Sequence, residues 1–593
     1  MHSGFKPVYL LILLLWLIAA CKNPGENGSD QLYHNTLQQL EQLYELTGEP
    51  MEQVISRKNA AEIRAVFLDA RNRYKKMEAA TEYFLPATAK GINGPPVMEV
   101  ETDENREIEP TGFQVVETFI FPVYDSTRNA ALLKETGNLH AMLYRAIQLW
   151  QVTRPSPKQW LDAAWYELIR IATLGITGFD TPGCKTGLQE SALALGSVKM
   201  ILLTLKNPED NLEPALDKAI EILRSAKDFD SFDRANFLRK AWQPVFASVA
   251  ETREKEGVLM NRLAISAKAR SLFGDSFLNL PFFAPDNTPQ NAGIDALGKA
   301  LFSDTRLSST GTFSCASCHQ PATFFADQNT LSTNIHGNLL ARNTPSLINS
   351  GFQTNFFWDM RVNTLEMQAK FVIENRNEMD GNIDSVVRRL NADQALVTRF
   401  NTAFKKRAGE PISEEQITHA LAAYQRTLSG FNSPFDEFMN GNDTAITPLA
   451  VNGFNLFMGK ATCATCHFAP VFSGLVPPYY DKMESEVIGV PANAANNSAD
   501  KDEGRFLVYP VETYRFAFKT PTVRNTATTF PYMHNGVYKT LEQVVDFYNK
   551  GGGAGLGLPF PHQTLSPEKL NLSVAEQQQL VEFIKTLGSK IHN

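Results

Sequence analysis

Two five-residue patterns constrain this chain more than any other feature: Cys315-Ala316-Ser317-Cys318-His319 and Cys463-Ala464-Thr465-Cys466-His467. Cys-x-x-Cys-His is the attachment signature of c-type haem. The chemistry dictates the spacing. Two thiols add to the two vinyl groups on one porphyrin edge, and the adjacent histidine reaches the iron from the proximal side. A zinc site built from both pairs is the competing reading, but Cys318 and Cys463 are 145 positions apart, far beyond ribbon spacing, and each pair carries its own histidine. A redox-active cysteine pair would need a βαβ context that the flanking sequence lacks. The expectation is therefore two covalently bound haem c groups, with His319 and His467 as proximal iron ligands.

Haem of this type is attached outside the cytoplasm, and the N-terminus agrees. Lys6 precedes an apolar run from Val8 to Ala20, too short to span a bilayer as a helix. The run ends Leu17-Ile18-Ala19-Ala20-Cys21, which resembles a bacterial lipobox. That resemblance implies a lipoprotein signal over residues 1–21, acylation of Cys21 and a polar tether after it. An ordinary cleaved signal or a short anchor helix would share the apolar run. The expected location is the periplasm or cell envelope, with the lipid anchor as the sole membrane contact. With 56 basic against 64 acidic residues and a net charge of −8, nothing favours a nucleic-acid partner. Six cysteines in 593 residues are too few for a disulfide scaffold.

A chain of this length implies several domains. Residues 22–275 read as helical. Ile63, Val66, Phe67, Ala70 and Tyr74 fall on one helix face, Leu139, Met142, Leu143 and Ala146 repeat the spacing, and Leu193, Leu195, Val198, Met200 and Leu203 lie in another long helical stretch. A helical bundle is expected here. Tyr74-Lys75-Lys76-Met77-Glu78 and Gly112-Phe113-Gln114-Val115-Val116-Glu117 resemble the imelysin family, whose Gly-x-His-x-x-Glu motif is linked to metal binding. Here Gln114 replaces the histidine, and an amide is a much poorer transition-metal ligand than imidazole. A proline-punctuated connector, Leu280 to Pro289, then leads into two haem domains, 276–445 and 446–593. Each carries one cysteine motif followed by a Thr-Pro-x-x-x-Asn turn, Thr344 to Asn349 and Thr520 to Asn525, which points to an internal duplication. The fold class expected is mainly α: a helical bundle, then two cytochrome c-like haem domains.

Further motifs lie in order around the haem signatures: Leu297-Gly298-Lys299-Ala300-Leu301-Phe302, Arg342-Asn343-Thr344-Pro345, Phe357-Trp358-Asp359-Met360-Arg361, Leu365-Glu366-Met367-Gln368, Glu378-Met379 and Pro531-Tyr532-Met533-His534-Asn535-Gly536. Over nearly 300 residues the chain resembles the bacterial di-haem cytochrome c peroxidase family, which includes MauG. One departure is Met360, where the family usually has glycine. The resemblance implies that the first haem is peroxidatic, with Glu378 as acid–base group and Gln368 as a second pocket residue. It implies that Trp358 relays electrons between the haems and that His336 binds the first iron in a resting state. It places Tyr548 at the distal ligand position of the second haem, where a packed core tyrosine is the alternative. It also implies a calcium ion held by the Asn343 side chain and the carbonyls of Thr529 and Pro531; without the resemblance, Asn343 reads as a turn residue. Ordinary structural roles are expected of His534, His419 and Cys184.

The implied function is reduction of hydrogen peroxide to water, with electrons from a small cytochrome c or cupredoxin. The alternatives are MauG-like oxidation of a partner protein or organic substrate, and non-catalytic electron transfer. A homodimer is among the assemblies to expect.

Overall fold

The computed structural model describes residues 28–101, 106–205, 212–258, 263–286 and 288–589, so the export signal and Cys21 lie outside the described residues. The fold is mainly α-helical; its strands form two short two-stranded sheets, Glu99–Glu101 with Arg106–Ile108 and Ser485–Glu486 with Phe518–Lys519. No helix among the described residues is long and apolar enough to cross a membrane.

The N-terminal region is built on periodicity and caps. Asn59 accepts from the backbone N–H groups of Ala61 and Glu62, starting the helix Ala60–Lys75, which buries Ile63, Phe67, Ala70 and Tyr74 as the spacing predicts. Pro157 and the Ser156–Gln159 capping box start the helix Pro157–Thr173, which is buried on every side from Trp160 onward. The helix Gly187–Thr204 is the long helical stretch expected there. It buries Leu188, Leu195, Val198, Ile201 and Leu202, while Leu193, Met200 and Leu203 are half-buried. A nearly continuous run of apolar and small residues leaves its face ambiguous in sequence.

The Gly112–Glu117 motif is structural. Gly112 stands at φ +99° against the Ile92 carbonyl, and buried Gln114 donates to the Asn93 carbonyl at 2.8 Å. Glu117 accepts from the backbone N–H groups of Gly183 and Cys184.

The haem-motif region repeats one arrangement twice. In the first half, the helices Ala292–Phe302 and Glu414–Thr427 cross at Gly298, where an added Cβ would lie 1.9 Å from the Ala420 carbonyl oxygen. In the second half, Pro448–Phe457 and Val574–Lys585 cross at Gly453, where a Cβ would lie 1.9 Å from the Gln579 carbonyl oxygen. The two turns also correspond. Asn349 and Asn525 adopt left-handed φ values of 61° and 64°. Asn349 Oδ1 accepts from Gly430 N at 3.0 Å, and Asn525 Oδ1 accepts from Ser589 N at 2.7 Å. Asparagine tolerates this backbone region and supplies a local acceptor. The duplication suggested by the sequence is thus present in the geometry.

The packing divides unevenly. The first half has its own core, including Ile294, Leu297, Phe400 and Leu421. The second half shares one continuous apolar core with the helical region, including Phe246, Phe273, Phe435, Phe472 and Phe583. The helix Pro434–Met439 belongs to this second core: Phe435 N donates to Thr586 O at 3.2 Å, and buried Asp436 pairs with buried Arg524 at 2.7 Å.

The crossings give a test with two signs. Gly453→Ala forces a methyl onto a carbonyl and should cost about 1–3 kcal/mol, as overpacking does. Gly137→Ala, in the exposed face of the helix Asn129–Val152 with no atom within 4 Å of the new methyl, should stabilise by up to about 1 kcal/mol. Thermal unfolding of both variants reads the contrast.

Candidate haem and peroxide site

The first signature forms one wall of a partly open, mostly apolar cavity. Cys315, Cys318 and His319 line it together with Gln368 and Glu378. Ser314 caps the short helix Cys315–Cys318 through a reciprocal pair with Ser317, and this turn presents both sulfurs. His319 Nδ1 lies 2.9 Å from the Phe325 carbonyl oxygen, so it carries the proton and leaves Nε2 as the ligand atom. In the second half, His467 Nδ1 faces the carbonyls of Pro521 at 3.1 Å and Phe472 at 3.3 Å, giving the same tautomer. Burial pushes both imidazoles down, His467 to about 4, so each is neutral and ready to bind a metal. Burial also pushes the thiols up, Cys315 and Cys463 to about 12 and Cys318 to about 11, keeping them as thiols rather than metal-binding thiolates. Cys315 packs against the first core and Cys463 against the other, so no shared zinc site forms. Sulfurs, oriented imidazoles and cavity together fit c-type haem.

Glu378 follows the helix Leu365–Glu374, which Thr364 caps by accepting from Met367 N. The chain then doubles back: Gly381 N donates to Ile373 O at 2.7 Å, with the Leu307 and Ile373 carbonyls each 2.8 Å from where a side chain would begin. Asn375 Nδ2 donates to Glu378 Oε1 at 2.8 Å. Burial raises the Glu378 carboxyl above its ordinary pKa, opposed by the Asn375 hydrogen bond and by Arg361. Gln368 faces the same cavity from the preceding helix.

Trp358 is fixed at the seam between the halves. Its Nε1 donates to the Asn343 carbonyl at 2.9 Å, and its own carbonyl accepts from Lys519 N at 2.8 Å. Asn343 N in turn donates to the His534 carbonyl at 2.7 Å. Met360 stands at φ +59°, a conformation suited to glycine. Asn343 Nδ2 donates to the carbonyls of Asn329 at 2.9 Å and Thr330 at 3.3 Å, leaving Oδ1 as the ligand-type atom. Thr529 and Pro531 lie near this seam, where Gln328 Nε2 donates to the Thr528 carbonyl at 3.1 Å.

His336 is not brought to the cavity. It sits at the tip of a hairpin closed by Asn334, whose Oδ1 accepts from His336 N and Asn338 N, and its Nε2 lies 3.2 Å from Asp380 Oδ2. Tyr548 is on the helix Leu541–Asn549 and half-buried, while Leu541 and Val545 on that face are fully buried. Its phenol is pushed up by burial and then by Cys466, Cys463 and Glu486, which places it beside the second signature.

Two residues escaped the sequence reading. Asn375 orients Glu378; its position three residues before the carboxylate, at the start of a turn, was the available signal. Glu486 is pushed up to about 7 by burial, opposed by its neighbours Thr564 and Cys466. Nothing in its local sequence marks it. His534 stacks on Phe518 at 3.7 Å, His419 Nε2 meets the Pro289 carbonyl at 2.8 Å, and Cys184 Sγ contacts Thr186 Oγ1 at 3.0 Å.

Comparison with known proteins agrees with this geometry. The family model described as di-haem cytochrome c peroxidase matches residues 292–444. The methylamine utilization protein MauG of Methylorubrum extorquens is 39% identical over 306 residues, covering 52% of this chain and 81% of that protein. The cytochrome-c peroxidase IdrP1 of Pseudomonas sp. (strain SCT) is 34% identical over 355 residues, covering 56% and 91%. The crystal structure of a MauG-like protein associated with microbial copper homeostasis is 28% identical with a TM-score of 0.46, covering 52% of this chain and 92% of that one. With its two haem signatures and these relatives, the chain belongs to the di-haem cytochrome c peroxidase family.

Proposed function

We propose that this protein is a di-haem peroxidase that reduces hydrogen peroxide to water with electrons from an external small redox protein. The observation that carries the reading is one cavity shared by Cys315, Cys318, His319, Gln368 and Glu378. Haem, when bound there, supplies the redox-active iron at which peroxide accepts two electrons. Around it, His319 offers Nε2 because its Nδ1–H is held by the Phe325 carbonyl. Glu378 moves a proton between the peroxide oxygens. Asn375 holds Oε1, and burial keeps the carboxyl basic enough to accept that proton. Gln368 positions the peroxide by hydrogen bonding. Trp358, held by backbone hydrogen bonds from both halves, relays electrons across the seam. Asn343 Oδ1 with the carbonyls of Thr529 and Pro531 supplies hard oxygen ligands suited to calcium. His336 reaches the iron only if its hairpin leaves Asp380. The two halves act as cytochrome c-like haem domains, and the extracytoplasmic side of the membrane is where such a protein works.

Tyr548 favours a second reading within the same family. A tyrosine beside Cys463 and Cys466 is placed to bind the second haem's iron, and an anionic oxygen donor stabilises the ferric state where methionine would not. Such a protein oxidises a partner protein or organic substrate more readily than it draws on high-potential donors.

Three measurements bear on these assignments. A pyridine haemochrome assay should count two haems per chain. Replacing Cys315 and Cys318 by alanine should remove one, and replacing Cys463 and Cys466 the other; a count of one in the parent protein would refute the assignment. Glu378→Gln should leave both haems in place yet lower steady-state peroxide turnover with reduced cytochrome c by ~10²-fold or more, the usual worth of acid–base assistance. Equal rates would place the proton shuttle elsewhere. If Tyr548 ligates, Tyr548→Phe should alter the ferric spectrum and Tyr548→Met should raise the second haem's reduction potential. A spectrum indifferent to Tyr548→Phe, with a potential in the His/Met range, would favour the plain peroxidase.

A further inference from the structure

Tyrosine and tryptophan rings, bridged by Phe84, run from Tyr479 of the second haem half into the helical region. Phe468, directly after His467, packs edge-on against Phe179 at 5.7 Å. The Tyr480 hydroxyl donates to the Ala469 carbonyl at 2.8 Å, two residues beyond His467. Its neighbour Tyr479 stands 4.9 Å from Tyr166 on the buried helix of the helical region. Tyr166 is 6.0 Å from Tyr83. Phe84 then bridges from Tyr83, at 4.9 Å, to Trp160 at 5.2 Å and Trp150 at 5.6 Å. Trp150 stacks on half-buried Tyr33 at 5.8 Å, beside the exposed His34.

We propose that this row is a one-electron relay that carries oxidising equivalents from the second haem half to Tyr33 at the surface of the helical region. The proposal rests on the peroxidase reading, because hydrogen peroxide is the oxidant. Each peroxide takes two electrons and two protons to become two waters. When the external donor is absent, those electrons come one at a time from the row, which is left oxidised until the external donor returns them.

The side chains around the row fit this use. The Tyr83 hydroxyl donates to Asp162 Oδ2 at 3.2 Å, so loss of an electron from the ring is balanced by transfer of the phenol proton to that carboxylate, which gives it back on re-reduction. The other Asp162 oxygen is held by Arg253 Nε at 2.8 Å, so the acceptor stays in place. A branch to Trp165, 5.2 Å from Tyr166, is closed electrostatically. The Arg253 guanidinium lies 3.8 Å from the centre of its ring and opposes a positive indole.

The test uses holoenzyme given hydrogen peroxide without donor, in the presence of a nitroso spin trap, with adducts mapped by peptide mass spectrometry. Adducts are expected at Tyr33 and Tyr83. Tyr166→Phe should lose the Tyr33 adduct while donor-driven peroxide turnover stays at the parent rate. Tyr83→Phe, which keeps the ring and removes the proton path, should do the same. Equal labelling of Tyr33 in both variants, or parent adducts confined to residues 292–589 with normal turnover, would overturn the relay alone. Absence of donor-driven turnover in the parent protein would instead strike the peroxidase reading on which it rests.

Discussion

Each haem half depends on a helix crossing so close that no side chain fits within it. At Gly298 and Gly453 the position a Cβ would take is 1.9 Å from a carbonyl oxygen of the opposing helix. That contact sets the separation of the helix before the cysteine motif and the helix that closes the half. The Asn349 and Asn525 turns then tie the chain back just past the closing helix, through Gly430 and Ser589. The histidine between these fixed points has its Nδ1 facing backbone carbonyls in both halves. Backbone geometry, rather than side-chain choice, therefore orients both iron ligands. This is why the arrangement survives in two halves whose core residues differ.

The same distinction explains what could be read from sequence. The haem signatures were legible because covalent chemistry fixes both residue type and spacing. Asparagine at 349 and 525 carried its meaning locally, since each answers a backbone demand. Glu378 and Gln368 were legible only through a family resemblance, because they lie 60 and 50 positions beyond Cys318 and nothing periodic links them to it. Their convergence on one cavity is a tertiary result. Asn375 and Glu486 were missed for the same reason: a hydrogen-bond partner is chosen by packing. His336 shows the converse. Resemblance placed it at an iron, whereas local turn chemistry at Asn334 and Gly337 folds it into a hairpin whose tip meets Asp380. The face of the helix Gly187–Thr204 was obscured by too many apolar residues rather than too few.

The interfaces divide labour. Between the halves the seam is polar, with Arg342 paired to Asp502 at 2.6 Å and backbone hydrogen bonds through Asn343 and Trp358. Between the second half and the helical region the contact is apolar and continuous. An apolar core resists displacement because every separation exposes hydrophobic area. Polar seams can exchange partners with water at smaller cost. That continuous core also takes in Phe352 and Met360 of the first half, so the seam between the halves is polar only in part.

That shared core bears on what the helical region does to electrons as well as to shape. Its interior is rich in acids: Glu78, Asp180 and Glu190 surround Lys75, and Asp162 faces Tyr83. Burial, and then a carboxylate, Asp162 for Tyr83 and Tyr166 and Glu82 for Tyr479, push these phenols above their ordinary pKa. The field that opposes losing a proton alone favours losing an electron, because the ring then gains positive charge beside a carboxylate. Where a carboxylate also accepts the phenol proton, as Asp162 does for Tyr83, both losses proceed together and the ring itself stays neutral, the unit positive charge being left on Arg253 beside the protonated carboxyl. A purely apolar row of rings would pack as well but would isolate any charge placed on it. The acids of the helical region turn a packing motif into a conductive one, and its shared core with the second half keeps the ring spacings fixed.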